Sequence, residues 1–178
     1  GGKQDGLWTY WDRDGKKGSE VTFKGGEKDG LRTIWYENGQ KKSEETFKNG
    51  KLNGLHTSWY ENGQKEYEKN YKNEKLNGLY IEYYESGQKE FERTFKDDFQ
   101  DGLFTSWYEN GQKKYEKNIK NEKLNGLYIE YYVNGQKEFE GTFKDDYQDG
   151  LITKWYENGQ KSSEFIYKDG EIISQKFW

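Results

Sequence analysis

The chain has 178 residues, with no cysteine, no proline and no methionine, and its only histidine is His56. Without cysteine, neither disulfide bonds nor thiolate metal sites can form. Without proline, every position keeps the backbone N–H that a sheet needs. No run of apolar residues approaches the length of a membrane span. The absence of cysteine suits the cytoplasm and does not exclude secretion, so the compartment is left open.

Aliphatic residues are also scarce. Hydrophobic residues make up 30% of the chain and charged residues 35%, and the mean hydropathy is −1.42. Such values approach those of disordered segments. Disordered segments are poor in aromatic residues, however, and this chain is 19% aromatic. We therefore expect a folded protein with a thin aromatic core.

The 29 basic and 33 acidic residues alternate closely and leave a net charge of −4. This pattern is typical of a solvated surface and argues against nucleic acid as a partner. Membrane contact is left open, but the charge pattern does not indicate it.

A 24-residue period dominates the sequence. The pair Gly-Leu begins at positions 6, 30, 54, 78, 102, 126 and 150. A fixed period of this length predicts an array of small units that depend on their neighbours for stability. We predict one repeat domain over 1–178, with repeats starting near those seven positions and residues 171–178 as a C-terminal cap. Residues 54–101 and 102–149 are near copies, which suggests a tandem duplication. The opening "GGKQDG" aligns with "GGEKDG" at 25–30, so we expect the chain to be trimmed from a longer precursor.

Each repeat predicts a β-hairpin. Two segments rich in Thr, Ile, Trp, Tyr and Phe flank an Asn-Gly, Ser-Gly or Asp-Gly turn. Hydrophobic consistency favours a three-residue loop, Glu61-Asn62-Gly63, with Gly63 in the left-handed region. That register would place Leu55, Thr57 and Trp59 on one face with Tyr67 and Tyr71. The other face would carry His56, Ser58, Tyr60, Glu66 and Glu68. The fold class is therefore all-β: an elongated, single-layer antiparallel β-meander of tandem hairpins with about 14 strands.

These motifs resemble a known family. "GLHTSWYENGQK", followed by an aromatic residue and then "KNEKLNG" or "KNGKLNG", is similar to the MORN repeat, specifically the bacterial variant type with antitoxin-like members. The period of 24 differs from the usual 23. The second glycine of the motif is replaced by Glu74, Asp98, Glu122 and Asp146. The resemblance implies a single sheet of hairpins used for binding or self-association.

Catalytic and metal-binding motifs are weak. His56 and Ser58 are two apart on one strand, but no other repeat keeps the pair, so an exposed polar face explains them better than a catalytic pair. The acid pairs Asp97-Asp98 and Asp145-Asp146 do not fit a known calcium loop and are interpreted as turn residues. We predict that the protein is not an enzyme and has no cofactor and no metal site.

Two rows of aromatic residues are candidate sites. The first is a predicted structural stripe of Trp11, Trp35, Trp59, Tyr83, Trp107, Tyr131 and Trp155. The second, on the opposite face, is the predicted binding row of Tyr36, Tyr60, Tyr84, Tyr108, Tyr132 and Tyr156. Cross-strand aromatic pairs stabilise sheets, whereas tyrosine provides contact area for a protein partner at little entropic cost.

The first hypothesis is thus a non-enzymatic repeat module for protein–protein interaction or scaffolding, acting on a protein partner or on itself. An antitoxin or immunity-type protein that neutralises a toxin is the alternative. A cell-surface carbohydrate-binding protein with an aromatic ladder is the second alternative.

Overall fold

Fifteen β-strands, with no helix among them, make up the part of the chain that the computed structural model describes, residues 2–178. The strands are β1 (Gly6–Trp11), β2 (Lys17–Lys24), β3 (Glu27–Trp35), β4 (Lys41–Lys48), β5 (Lys51–Trp59), β6 (Lys65–Lys72), β7 (Lys75–Tyr83), β8 (Lys89–Lys96), β9 (Phe99–Trp107), β10 (Lys113–Lys120), β11 (Lys123–Tyr131), β12 (Lys137–Lys144), β13 (Tyr147–Trp155), β14 (Lys161–Lys168) and β15 (Glu171–Phe177).

The strands follow one another in the sheet in chain order. Every pair described is antiparallel. The predicted all-β meander of tandem hairpins is confirmed. The strand count is one higher than the predicted fourteen because residues 171–177, predicted as a cap, form the additional strand β15.

Two compact units divide the chain. The N-terminal unit comprises residues 2–87 and 96–98, and in it consecutive strands are paired from β1 to β7. The C-terminal unit comprises residues 88–95 and 99–178, and in it consecutive strands are paired from β9 to β15. The single domain over 1–178 stays a prediction.

Two kinds of turn alternate along the chain. The first is a five-residue corner loop, such as residues 60–64. There the Tyr60 N–H donates to the Gln64 carbonyl at 2.9 Å, and the Gly63 N–H donates to the Tyr60 carbonyl at 2.9 Å. Gly63 has φ 84°, so the three-residue turn with a left-handed glycine is confirmed.

The second kind is a two-residue turn. In Asn73-Glu74 both residues have positive φ, 50° and 68°. Two left-handed residues between paired strands make a type I′ hairpin, whose twist matches that of the sheet. Lys72 and Lys75 flank this turn as a cross-strand pair.

A β-bulge follows the corner loop in the hairpins β1–β2, β3–β4, β5–β6, β9–β10, β11–β12 and β13–β14. This bulge contradicts the prediction of which residues share a face. Trp59 pairs with Lys65, but Ser58 pairs with Tyr67, so Glu66 is an extra residue on β6. One extra residue exchanges the faces of everything beyond it. The prediction that Tyr67 and Tyr71 share a face with Trp59 is therefore wrong.

The pairing defines two faces. The tryptophan face carries Leu55, Thr57, Trp59, Glu68 and Asn70 and their equivalents in the other repeats. The phenylalanine face carries His56, Ser58, Tyr67, Lys69 and Tyr71 and their equivalents, which are often Phe. His56 and Ser58 share a face as predicted, whereas Glu68 lies on the other one.

Burial is deepest along the middle of the strands. On the tryptophan face the buried row is made of small β-branched residues, Thr33, Thr57, Thr105 and Thr153 with Ile81 and Ile129. On the phenylalanine face Val21, Ile119 and Ile152 are buried, and Ile152 is only 1% exposed. Since no other element among residues 2–178 covers the sheet, neighbouring side chains on the same face provide this burial.

Candidate interaction surfaces

The tryptophan face carries the predicted structural stripe. Its members are Trp11, Trp35, Trp59 and Tyr83 in the N-terminal unit and Trp107, Tyr131 and Trp155 in the C-terminal unit. A lysine from the preceding repeat lies over most of the tryptophan rings. Lys17 Nζ is 5.1 Å from the Trp35 ring centre, and Lys41 Nζ is 5.7 Å from that of Trp59. Lys89 and Lys137 hold Trp107 and Trp155 in the same way, at 5.5 and 5.7 Å. These are cation–π contacts between successive repeats.

These lysines, and their equivalents in the other repeats, form ion pairs with the glutamate three residues later. Lys65 Nζ lies 2.7 Å from a Glu68 carboxylate oxygen, and every repeat has an equivalent pair. Residues i and i+3 of a regular strand point to opposite faces, so the bulge makes this pair possible.

Where tyrosine replaces tryptophan, its hydroxyl donates to this glutamate. Tyr83 bonds Glu68 at 2.6 Å, and Tyr131 bonds Glu116 at 3.0 Å. Burial and the hydrogen bond to Glu116 raise the pKa of Tyr131 to about 12. The phenol is therefore neutral at physiological pH and acts as a donor.

A row of exposed leucines lies beside the buried threonines on the same face. Every repeat contributes one, and their exposed fractions range from 38% to 63%: Leu7, Leu31, Leu55 and Leu79 in the N-terminal unit, Leu103, Leu127 and Leu151 in the C-terminal unit. Polar Thr46 and Asn70 stand opposite Leu31 and Leu55. We did not predict this surface, although the invariant leucine after each glycine was its sequence signal.

The predicted binding row of tyrosines begins the corner loops, and most of its hydroxyls bond the next repeat. Tyr36 donates to the Trp59 carbonyl at 2.7 Å, and Tyr60 donates to that of Tyr83 at 2.9 Å. Tyr108 and Tyr132 do the same to Tyr131 and Trp155. Burial raises the pKa of Tyr36, Tyr108 and Tyr132. Tyr84 is half-buried.

Tyr156 differs from the other corner tyrosines. It is 52% exposed, and its hydroxyl bonds nothing within residues 2–178. The binding role of the whole row stays a prediction.

The corner asparagines and glutamines add to these inter-repeat contacts. Asn38 Nδ2 donates to the Glu61 carbonyl at 3.0 Å, and Asn62, Asn110 and Asn134 repeat this bond. Gln40 Oε1 lies 2.5 Å from where a Cβ on Gly63 would stand. Glycine at position 63 therefore permits both the positive φ of the turn and the close approach of Gln40 from the preceding corner.

On the phenylalanine face, aromatic rings contact one another edge to face. In the C-terminal unit the ring centres of Phe104 and Tyr115 are 5.1 Å apart, and those of Tyr115 and Tyr128 are 6.4 Å apart. Lys117 Nζ lies 4.9 Å from the Phe104 ring centre. Burial, with a smaller effect of Arg93, lowers the pKa of Lys117.

The histidine and serine that could form a catalytic pair have other partners. His56 Nε2 lies 3.3 Å from the Tyr67 hydroxyl and 3.8 Å from a Glu45 oxygen. The Ser58 hydroxyl donates to Glu66 at 2.7 Å. The two side chains therefore share a face without the nucleophile–base contact that acyl transfer needs.

The paired acids occupy type I′ turns and bond the backbone. The Leu76 N–H donates to Asp98 at 2.7 Å, and the Leu124 N–H donates to Asp146 at 2.8 Å. Asn77 Nδ2 donates to Asp97 at 3.2 Å. No group of three or more His, Asp or Glu within residues 2–178 is placed to hold a metal ion.

Residues 2–178 contain no helical segment of the length and apolarity that crossing a membrane requires.

Comparison with known proteins agrees with this architecture. No curated protein matches the chain significantly. The family model described as "MORN repeat variant" matches six consecutive segments, residues 28–49, 52–73, 76–97, 100–121, 124–145 and 148–175. Each match up to residue 145 spans one corner-loop hairpin, with its first strand, its corner loop and its return strand, and ends at the first residue of a type I′ turn. With most of its length covered by these tandem matches, the chain belongs to the MORN repeat variant family.

Proposed function

We propose that the protein is a non-enzymatic repeat module that binds a protein partner through its tryptophan face. Repeats of this family are in general protein- or membrane-interaction modules. The observation that carries the proposal is the leucine row, which exposes one large apolar side chain per repeat. Contiguous exposed apolar surface on a soluble protein marks interaction sites.

The surroundings of the leucines support this choice of face. The aromatic stripe, which is half-buried except at the exposed Trp11, lies on the same face. Aromatic side chains are the usual anchors of protein interfaces. The charged groups beside it, Lys65 and Glu68, are already paired with each other. A partner therefore meets apolar side chains flanked by neutralised charge, which is the arrangement of an interface core and its rim.

The corner tyrosines are proposed as additional contacts at the loops. Because the hydroxyls of Tyr36, Tyr60, Tyr108 and Tyr132 already donate to the next repeat, a partner would contact their rings. Tyr156, with 52% of its surface exposed, offers the largest area of the row.

Affinity capture with substituted proteins tests which surface binds. Leu103→Ser with Leu127→Ser removes two leucines of the C-terminal unit, and Val133→Ser removes a loop side chain that is 53% exposed. We expect the double leucine variant to lose the partner and Val133→Ser to keep it. If the leucine variant keeps the partner and Tyr156→Ala loses it, binding belongs to the tyrosine row.

The captured partner also separates the alternative functions. A stoichiometric complex with one toxin domain would support the antitoxin hypothesis over general scaffolding. Carbohydrate binding requires free ring faces, whereas Lys17, Lys41 and Lys137 lie over tryptophan rings. Glycan-array binding that is lost in Tyr84→Ala with Tyr132→Ala would support the carbohydrate alternative.

A further inference from the structure

One corner loop differs from the others in its first residue. The loops of the later corners begin with tyrosine, as at Tyr36 and Tyr60, whereas the loop between β1 and β2 begins with Asp12. The Asp12 carboxylate bonds its own loop, where it accepts the N–H groups of Asp14 and Lys16 at 2.9 and 2.8 Å. Asp12 therefore does not make the forward contact that a corner tyrosine makes.

The acceptor for that contact is nevertheless present in the next corner. One repeat later, the Tyr36 hydroxyl donates to the Trp59 carbonyl at 2.7 Å, and the residue equivalent to Trp59 here is Trp35. Within residues 2–178, no side chain donates a hydrogen bond to the Trp35 carbonyl. Lys16 Nζ donates to the neighbouring Glu37 carbonyl instead, at 2.8 Å. The carbonyl that takes a phenol in the later corners is thus without a side-chain donor in this one.

Trp35 also lines a cavity of about 720 Å³, which we call the corner cavity. Its lining residues are Lys16, Trp35, Tyr36, Glu37, Asn38, Lys42 and Glu61. Burial, with the charges of Glu66 and Glu61, raises the pKa of Tyr36, so these two glutamates lie near its ring. The positions equivalent to them one repeat earlier are Glu37 and Lys42, and both line the cavity. The corner cavity therefore occupies the place that a tyrosine ring takes one repeat later.

The glycine of the second corner also borders open space. A Cβ on Gly39 would meet nothing within 4 Å, whereas a Cβ on Gly63 would meet Gln40 Oε1 at 2.5 Å. A second cavity, of about 490 Å³, includes Gly39 and shares Lys16 and Trp35 with the first. Tyrosine and glutamine fill the space between later corners, and this space is accessible between the first two.

We propose that the corner cavity binds a tyrosine side chain of a partner protein. The phenol ring takes the place that the chain's own tyrosines take in the later corners, and its hydroxyl donates to the Trp35 carbonyl. The half-buried side chains of Trp35 and Tyr36 provide the aromatic surface for the ring. Tyrosine suits such a place, because its ring is apolar and its hydroxyl needs an acceptor when buried.

The charges around the corner cavity favour a neutral phenol over phosphotyrosine. Lys16 and Lys42 line it together with Glu37 and Glu61, so the two signs balance. Both lysines also have contacts already, since Lys16 bonds the Glu37 carbonyl and Lys42 Nζ lies 5.3 Å from the Tyr36 ring centre. A phosphate group would bring a charge of about −1.5 to −2 beside two carboxylates.

The corner cavity is independent of the leucine row that we propose as the main partner surface. It lies within the N-terminal unit, between two corner loops, and uses no residue before Asp12. A partner can therefore engage either surface alone.

Titration with short peptides, followed through the amide signals of the protein by NMR, tests the proposal. The probes are Gly-Gly-Tyr-Gly-Gly, its phenylalanine counterpart and its phosphotyrosine counterpart. We expect the tyrosine peptide to shift the signals of Tyr36, Glu37 and Asn38. Its Kd should be at least about threefold below that of the phenylalanine peptide, because one hydrogen bond is gained. Equal Kd values for these two peptides, shifts confined to other residues, or tighter binding of phosphotyrosine would overturn the proposal.

Returning the tyrosine to the first corner provides the matched variant. Asp12→Tyr with Asp14→Asn and Lys16→Gln gives this loop the residues of the later corners, and Asp14→Asn with Lys16→Gln alone is the control. The variant with tyrosine should bind the peptide at least about tenfold more weakly than the control and melt at a higher temperature, because its own phenol fills the cavity. Leu103→Ser with Leu127→Ser should bind the peptide as the natural sequence does. Unchanged affinity in the tyrosine variant, or a loss in the leucine variant, contradicts the proposal.

Discussion

At the residue scale, a repeat protein supplies its own comparisons, because one type of residue recurs in different surroundings. Gly39 and Gly63 occupy identical Glu-Asn-Gly turns with φ 85° and 84°. The two glycines differ in the space available to an added side chain. A Cβ on Gly39 would meet nothing within 4 Å, whereas one on Gly63 would meet Gln40 Oε1 at 2.5 Å. The pair therefore separates backbone strain from crowding.

Gly39→Ala should lower the free energy of unfolding by about 1–2 kcal/mol, the cost of a left-handed alanine. Gly63→Ala should lower it further, because Gln40 must leave its position. Adding Gln40→Ala to Gly63→Ala should bring the cost of the glycine substitution back to that of Gly39→Ala. Urea denaturation measures all of these. Equal losses for both single glycine variants would show that the glutamine contact contributes nothing.

His56 should make stability depend on pH. Burial lowers its pKa, Glu45 opposes this, and Lys69 and Arg32 reinforce it. The unfolded chain then binds the proton more readily, so stability is full above the unfolded pKa of about 6.5 and falls as pH decreases toward the folded value. In His56→Tyr, which places the residue found at Tyr80 and Tyr128, the fall between pH 7.5 and 5.5 should shrink. Thermal denaturation at both pH values tests this, and an unchanged slope would assign the effect to carboxylates.

At the element scale, the type I′ turns differ from one another in how well their residues suit the backbone conformation. Both positions of a type I′ turn need positive φ, which glycine adopts without strain. The turns at Gly26, Gly50 and Gly170 have glycine at the second position, but Glu74 and Asp98 adopt φ 68° and 75°. The inner hairpins are therefore strained where the outer ones are not.

Glu74→Gly should stabilise the protein by about 0.5–1 kcal/mol by relieving this strain. Asp98→Gly should gain less, since the Asp98 carboxylate accepts the Leu76 N–H and that bond would be lost. Chemical denaturation of the two variants gives the comparison. A larger gain in stability for Asp98→Gly would mean that the hydrogen bond of Asp98 stabilises the protein by less than the backbone strain at Asp98 destabilises it.

The corner tyrosines connect one hairpin to the next. Tyr132→Phe removes the hydroxyl that donates to the Trp155 carbonyl at 2.8 Å. We expect a loss of about 0.5–1.5 kcal/mol in the free energy of unfolding. Tyr156→Phe, at the exposed end of the row, should change it by less than about 0.5 kcal/mol. Similar losses for both would indicate that the phenols act through solvation instead of this bond.

These comparisons show where sequence reasoning succeeds in the hairpin. The period, the Asn-Gly turn and Gly63 in the left-handed region follow from local chemistry, and all are confirmed. The bulge at Glu66 was missed because alternation of apolar residues alone does not mark an extra residue. Its signal was the lysine–glutamate spacing, such as Lys65 and Glu68, which recurs in every repeat and can pair on one face only across a bulge.

The exposed leucines were missed for a different reason. The three-residue loop without a bulge places Tyr67 and Tyr71 on the face of Leu55, where their rings would flank it. With the faces exchanged, its cross-strand neighbour is Asn70, which leaves it 42% exposed. An error of one residue in pairing thus changed the interpretation of an entire surface.

At the scale of the whole molecule, stability is distributed over contacts between successive repeats, as in other repeat proteins. Within each unit, consecutive strands pair with one another, from β1 to β7 and from β9 to β15. Each corner also contacts the next corner 23 residues later through tyrosine and asparagine. Removal of one whole repeat should therefore leave the others intact.

Deletion of residues 54–77 joins Asn53 to Gly78 and keeps the order of strands and corners. We expect a folded, all-β protein with a cooperative transition and reduced stability. Deletion of only residues 54–65 removes one strand and its loop, which reverses the direction of the following strands, and should abolish the cooperative transition. Circular dichroism and thermal denaturation distinguish the two. A whole-repeat deletion that unfolds the chain would show that stability depends on contacts beyond neighbouring repeats.

The hydrogen bonds between corners all run in the same direction. Tyr36 and Asn38 donate forward along the chain, and the carbonyls that receive them belong to Trp59 and Glu61 of the following corner. A repeat with this tyrosine and asparagine therefore brings one set of donors and one set of acceptors. An inserted copy receives from the repeat before it and gives to the repeat after it, so no neighbour must change its sequence. Gene duplication can lengthen such a protein without any compensating mutation, and the near-identical segments 54–101 and 102–149 are the trace that this process leaves.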